Sequence, residues 1–546
     1  MSKRLALLLA VACVAVSFSA CTKVGLQTGQ ATSSTIPGTL RYADISDPNS
    51  MNPLLRLEAV STDLDMLIYG FFFNLDDKMQ YIPELALEVP SYQNGGISRD
   101  GLTLTYHLRH GVKWHDGYPF TAHDVVFTTN AILNPANNLQ ARSGWDQIAR
   151  VEAPDDYTVR FHLKKVYGAA ISTYFAEGGL YPVLPAHLLE KYHDINHVPF
   201  NTNPIGTGPF KFVKWVRGDH IELVANPKYW RGPPKLQHII YKIIPKDTTI
   251  LVQLQTHEID AWFRAPSNLY TQFQKLQGYK VELTPSLVYS HMDLNMKNPL
   301  FSDVRVRQAI NYAIDKQRIV QDVSHSVNQL GYSVESPLSW AYNPNVRHYD
   351  YDPAKARQLL AQAGWQAGPD GVLVKNGQRL AFNMSAVAGG STGEATESLV
   401  QQNLRNVGIE TKVKNYPADL FFAGIQQGGI LQAGKYDMAF FAWVAGSDPS
   451  GEDSIYSCDW IPPAGQNNLY WCDQTLTRAE KNALATYEET QRKRWYWVAQ
   501  SEIAEQSPTI IMYFQRQIFI TANNFHGFRP APATSSNWNS WEWSMQ

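Results

Sequence analysis

LNMKNPLFSDVRVRQAINYAIDKQRIV, residues 294–320, joins the end of a strand, a proline-marked turn and a capped amphipathic helix. Ser302 or Asp303 supplies an oxygen to the first free N–H groups of the helix. Val306, Ala309, Ile310, Ala313 and Ile314 then recur at the three-and-four spacing that lines one helical face. Arg305, Arg307, Asn311, Asp315 and Lys316 fall off that stripe, so the block reads as one helix docked on a core.

Working outward, the chain alternates between strand and helix signals without a repeat. Leu40–Ser46 reads as a strand and Leu57–Phe72 as a helix. Leu102–Leu108 alternates with period two, and Thr121 caps a helix running to Leu133. Tyr157–Leu163 is a further strand, and Pro204–Trp230 gives two strands separated by Arg217-Gly218-Asp219. Ile239–Ile244 and a helix from Thr248 to Gln255, ending at Glu258-Ile259-Asp260, read as a strand-helix-strand unit. Asp352-Pro353 starts a helix that Gly364 stops. The last hundred residues carry one long helix, Ala479–Glu505, and a strand, Ile510–Ile520.

The N-terminus reads as an export signal. Lys3 and Arg4 precede an apolar run from Leu5 to Val16, too short to span a bilayer, and Phe18-Ser19-Ala20-Cys21 closes it with small residues. That tetrapeptide resembles a bacterial lipobox, which makes Cys21 the lipidation site, although Phe18 stands where Leu is usual and cleavage near Ala20 without lipid is the alternative. Residues 1–20 are thus a signal peptide and residues 21–35 a Thr/Ser/Gly/Gln-rich tether. The expected location is the periplasmic or outer face of the cell envelope, with membrane attachment through the N-terminal lipid. Cys13 falls in the signal, which leaves Cys458 and Cys472. On either side of a short Pro/Gly/Asn-rich segment in an oxidising compartment, they read as a loop-closing disulfide.

The chain has 546 residues, 44% hydrophobic and 18% charged, with 47 Lys plus Arg against 49 Asp plus Glu. A net charge of −2 disfavours nucleic acid and acidic membrane surfaces as partners. Fifteen Trp, 28 Tyr and 23 Phe fill cores first, yet also suit an enclosed ligand cleft. His107, His110 and His115 match no common zinc spacing, and no G-x-S-x-G, P-loop or HExxH occurs, so neither metal, cofactor nor catalytic residue is assigned.

Several blocks in order resemble solute-binding protein family 5, the oligopeptide and dipeptide receptors of ABC transporters. They are the opening block, IPELALEVPSYQNGGISRDGLTLTYHLRHGVKWHDGYPFTAHDVVFT, Pro204–Trp230, YDYDPAKARQLLAQAGW, KYDMAFFAWVAGSDP and SPTIIMYFQRQIFITANNFHGFRP. The resemblance implies an α/β class II periplasmic-binding-protein fold: two lobes with hinge crossings, and an extra β-rich domain inserted in the first. Residues 36–72, 196–289 and 508–546 would form the first lobe, 73–195 the extra domain and 290–507 the second lobe, with crossings near Ser290 and Ser507. It further implies a non-enzymatic, monomeric receptor that closes on a peptide or peptide-like solute and delivers it to a membrane permease. An oligosaccharide, opine or nickel-chelate receptor is the alternative on the same fold; an exported hydrolase is the alternative from another class.

In peptide-binding relatives an aspartate three residues after a tryptophan pairs with the ligand's α-amine. Here Trp443 is followed at that place by Gly446, and the next carboxylate is Asp448. Either Asp448 takes the anchoring role or the amine anchor is missing. A turn residue before Pro449 is the plain reading of Asp448. By the same resemblance Trp443 and Tyr416 line the cleft, and the backbone of Gly206, Thr207 and Gly208 faces the ligand. A tight strand turn and core packing explain them equally well. Cys458 and Cys472 match a pair beside the cleft in dipeptide binders.

Overall fold

A computed structural model describes residues 36–546 apart from 56–58, 140–141, 177–180 and 533–535. The signal, the tether and Cys21 lie outside the described residues.

One eleven-stranded sheet organises the fold. Its strands are β1 (Thr39–Asp44), β2 (Phe210–Val216), β3 (His220–Ala225), β4 (His238–Ile243), β5 (Ala261–Trp262), β6 (Tyr279–Leu294), β7 (Gln329–Leu330), β8 (Ala381–Ser385), β9 (Glu410–Val413), β10 (Met438–Val444) and β11 (Thr509–Ala522). Their spatial order is β9-β8-β10-β6-β11-β5-β1-β4-β3-β2, with β7 laid on β11. The long antiparallel strands β6 and β11 join two halves of this sheet. At one end Ile520 and Thr521 of β11 pair with β5, which runs parallel to β1. At the other, Val288–Leu294 of β6 pair with β10, itself parallel to β8. The β6–β11 register breaks between Pro285 and Tyr289, and again between Ser290 and His291.

Each half carries its own apolar core. Tyr42, Leu223 and Tyr241 share one continuous cluster with Tyr106, Trp145 and Phe175 of the segment that precedes β2. That segment holds an antiparallel three-stranded sheet in which Leu104 and Tyr106 point inward at alternate positions. The other half packs Met292, Ile310, Leu360, Val400 and Met438 together. The arrangement is a two-lobe α/β fold built on one shared sheet.

Helices fill the faces: α1 (Ala59–Ile68), α2 (Ala122–Leu133), α3 (Asp247–Gln255), α4 (Val304–Ala313), α5 (Lys316–Asp322), α6 (Pro353–Gln362), α7 (Ser391–Arg405), α8 (Gln474–Leu484) and α9 (Glu489–Gln506). Asp124 accepts the Thr121 N–H at the start of α2, and Asp352 caps α6 above Pro353. The opening block departs from its single-helix reading. Asp303 caps α4, the chain leaves helical geometry at Ile314, and Asp315 caps a second helix by accepting the Arg318 N–H. The long helix expected over 479–505 is likewise two, α8 and α9, and the helix expected to run to Phe72 ends at Ile68.

Candidate functional site

At the seam between the two halves the sequence-nominated tryptophan lies beside β6 and just ahead of a loop that reaches Tyr81. Trp443 on β10 pairs in register with Tyr289 on β6. Tyr289 is fully buried; its hydroxyl donates to Glu452 Oε2 at 3.0 Å and lies 3.2 Å from the Tyr456 hydroxyl. Beyond β10 the loop Gly446–Asp448 reaches the other half, where Ser447 Oγ and Tyr81 Oη are 3.0 Å apart. Further contacts cross the same seam. The Gly168 N–H donates to Leu484 O at 2.7 Å, Tyr487 Oη donates to Gly101 O at 3.2 Å, and Asn268 Nδ2 donates to Ser391 Oγ at 2.6 Å.

Asp448 is committed to its own chain. Arg492 Nη1 and Nη2 of α9 donate to its two carboxylate oxygens at 2.7 and 2.6 Å, and Oδ1 also accepts the Ser450 N–H at 3.0 Å. Such a bidentate, largely desolvated pair is geometrically selective. Arg492 is further held by Tyr496 Oη and Ala483 O. Burial opposes its charge, but Asp448 beside it keeps the guanidinium firmly protonated. Gly446 offers no side chain, so within Gly446–Asp448 the only carboxylate is one already doubly bonded.

The Gly206-Thr207-Gly208 turn packs against the end of α1. The Gly208 N–H donates to Ile68 O, and a Cβ on Gly206 would sit 1.8 Å from that oxygen. His115 closes the turn from the other side: the Gly206 N–H donates to its Nδ1 at 3.2 Å and its Nε2 lies 3.0 Å from Gly208 O. Burial pushes the imidazole down to about 4, which leaves it neutral in that bridge. Tyr416, half-buried, packs with Phe421, Tyr436 and Phe441. Phe441 in turn lies 4.3 Å from the His291 ring. Cys458 and Cys472 are bonded to each other.

Sequence reading missed Tyr81, Glu335, Glu452 and Arg492. Glu335 and Glu452 are buried, each with Oε1 lacking a hydrogen-bond partner, and Trp443 Nε1 and His291 Nε2 share that condition. Nothing local marks these residues: Arg492 lies 44 positions from the aspartate it binds, and Glu335 sits in an irregular stretch with no helical or strand period. Among the described residues no group of three His, Cys, Asp or Glu side chains converges as metal ligands, and no helix is long and apolar enough to cross a membrane.

The family described as bacterial extracellular solute-binding proteins, family 5 Middle, matches residues 80–459. The oligopeptide-binding protein AppA of Bacillus subtilis is 29% identical over 508 residues, 91% of this chain and 89% of its own. The structure of AppA with a nonapeptide superposes with a TM-score of 0.82, covering 94% of this chain and all of that one. The glutathione-binding protein GsiB of Pectobacterium atrosepticum is 28% identical over 89% of this chain and 90% of its own. NikZ of Campylobacter jejuni, in complex with Ni(L-His), gives a TM-score of 0.83 at 28% identity, covering 93% of this chain and all of that one.

Proposed function

Because the chain belongs to the bacterial extracellular solute-binding proteins of family 5, we propose that it is the extracytoplasmic receptor of an ABC importer, closing on a peptide or peptide-like solute and handing it to a membrane permease. The observation that carries this reading is the seam itself. Two separately cored halves, bridged by β6 and β11, meet through Tyr81 and Ser447 beside a tryptophan whose ring N–H is buried without a partner. Such a joint can open and close around a solute while β6 and β11 hold the halves together.

In this reading the lobes keep the limits expected from the sequence, 36–72, 196–289 and 508–546 for the first, 73–195 for the extra domain and 290–507 for the second. The crossings expected near Ser290 and Ser507 serve as the hinge, a reading supported by the loss of ladder register between Pro285 and Tyr289, opposite Arg516 and Phe514. Trp443 and Tyr416 wall the cleft, whereas Gly206, Thr207 and Gly208 shape it by seating α1. Asp448 positions the loop through Arg492 and does not hold the solute. Cys21 carries the lipid that keeps a monomeric receptor at the membrane. The nickel-chelate reading rests on the likeness to NikZ; the peptide reading is preferred because two further relatives, AppA and GsiB, are an oligopeptide-binding and a glutathione-binding protein.

A receptor binds its solute in the native state and leaves it unchanged. An arginine-free synthetic peptide pool spanning tripeptides to nonapeptides should raise the melting midpoint and be recovered intact by mass spectrometry. Cleaved peptides, or an unmoved midpoint, would remove the peptide-receptor reading.

A further inference from the structure

We propose that a cavity at the β6–β11 joint is a second binding site, for a small organic monocarboxylate, and that filling it favours the closed arrangement of the halves. The effect on closure rests on the receptor reading above; the site itself does not.

The cavity begins with Pro285, which has no N–H to give to a ladder. Pro285 pairs with Arg516, and the next pair along is Tyr289 with Phe514, so Ser286, Leu287 and Val288 stand opposite Gln515 alone. Surplus residues on one strand bend it away from its partner. Ser286 ties the surplus down: its hydroxyl donates to Gln515 O at 2.8 Å and accepts the Val288 N–H at 3.2 Å. A cavity of about 90 Å³ lies between Pro285 and Ser286, residues 514–516 of β11, Gln329 of β7 and the segment 336–338. Pro337 and Leu338 are exposed, which opens it to solvent. Neither Tyr81, Tyr416, Trp443 nor Ser447 lines it, so it stands apart from the seam.

Arg516 is the one charged residue in the lining, which holds no carboxylate. Among the described residues its guanidinium forms no ion pair, and its Nε is buried without an acceptor. A buried N–H left unpaired is costly, and an anion beside it removes that cost. The two hydroxyls of the wall are committed to backbone, Ser286 as above and Ser336 to Ser286 O at 3.3 Å. Arg516 is therefore the donor open to a guest, and its planar fork matches a carboxylate. One positive charge balances one negative charge, which favours a monocarboxylate over a dianion such as phosphate. Pro337, Leu338 and Phe514 give apolar walls for a short hydrocarbon tail, and the volume suits a chain of roughly four carbons.

The walls come from both strands that bridge the halves and from the segment 336–338, and they enclose the cavity in the arrangement where Tyr81 meets Ser447. A guest that fits this arrangement binds it more tightly than one in which the strands have shifted. It therefore promotes solute binding by the same factor by which solute promotes its own.

The test uses the full exported chain, with butyrate as the probe carboxylate, butyramide as its uncharged counterpart and inorganic phosphate as the dianion. Without peptide, butyrate in the millimolar range should raise the melting midpoint by about 1 °C or more, while butyramide and phosphate leave it unmoved. With the same peptide pool, calorimetry should show affinity rising about five-fold or more when butyrate is present. The ratio of affinities with and without butyrate is read within each variant, which cancels any change in basal binding. Arg516→Gln should bring that ratio to about one, and Arg516→Lys, which keeps the charge, should restore part of it. Butyrate that acts equally on Arg516→Gln, is matched by butyramide or phosphate, or leaves wild type unmoved would overturn the site and leave the receptor reading standing. Butyrate that weakens peptide binding would reveal competition within one cleft and overturn a separate site. If the peptide pool does not bind at all, the receptor reading falls and the melting shift still decides the site.

Discussion

Asp448 and Arg492 decide how the loop after Trp443 is held. Both are largely buried and joined by two short hydrogen bonds. Arg492→Met leaves a desolvated carboxylate behind, so urea unfolding should show a loss of about 3–5 kcal/mol; a loss under about 1 kcal/mol, the size of an exposed pair, would mean the pair is not structural. Glu84 gives a pH prediction. Burial pushes its carboxyl from 4.5 up to about 7, although the Phe71 N–H donates to it. The folded chain thus keeps a proton that the unfolded chain has shed, and stability falls as pH rises from 4.5 to about 7. Glu84→Gln keeps the acceptor and removes the titration, so it should be more stable than wild type by up to about 3 kcal/mol near pH 8 and by much less near pH 5. An offset independent of pH would contradict this. What sequence reached among these residues was the departure at Gly446 and the turn role open to Asp448. Its partner was out of reach because α9 delivers Arg492 from a distant part of the chain. His115 was likewise set aside as a metal ligand without its bridge to Gly206 and Gly208 being visible.

The break between α4 and α5 shows what helical periodicity misses. The apolar stripe through Val306, Ile310 and Ile314 is buried as read, but Arg307, Asn311 and Lys316, off that stripe, are buried too. They receive the C-terminal end of α9: Arg307 donates to Gln506 O and Phe301 O, Asn311 to Ser507 Oγ, and Lys316 to Asn311 Oδ1. Free carbonyls at a helix end need donors, and a polar face supplies them. A hydrophobic count along one segment cannot register a partner that arrives from elsewhere. The break between α8 and α9 has a similar origin. It frees Leu484 O to accept from Gly168 and aims Tyr487 at Gly101. A Cβ on Gly168 would stand 2.1 Å from Thr486 O. Gly168→Ala should therefore hold the halves apart, weakening peptide binding by about ten-fold or more with little change in the melting point of the empty protein. Unchanged affinity would show that this contact is not part of closure.

For the molecule as a whole, the ordered sequence blocks and the family resemblance they carry were enough to indicate a two-lobe α/β fold, because each block is legible within a short run of chain. The joint was less legible. The irregularity in the β6–β11 ladder depends on register across more than 200 residues of separation, and only the paired strands show it, between Pro285 and Tyr289 opposite Arg516 and Phe514. The meeting of the loop after Trp443 with Tyr81 is harder still to read, since the two lie 366 positions apart in the chain. The central claim is that the halves close on a solute and release it unaltered. Native mass spectrometry of the protein purified from its own cell envelope tests this most directly. The account predicts a non-covalent adduct, exchangeable for added peptide, whose released mass is an intact peptide or peptide-like molecule. Release of cleaved fragments from an added intact peptide, or a protein that retains no solute and takes up none of the peptide pool, would contradict it.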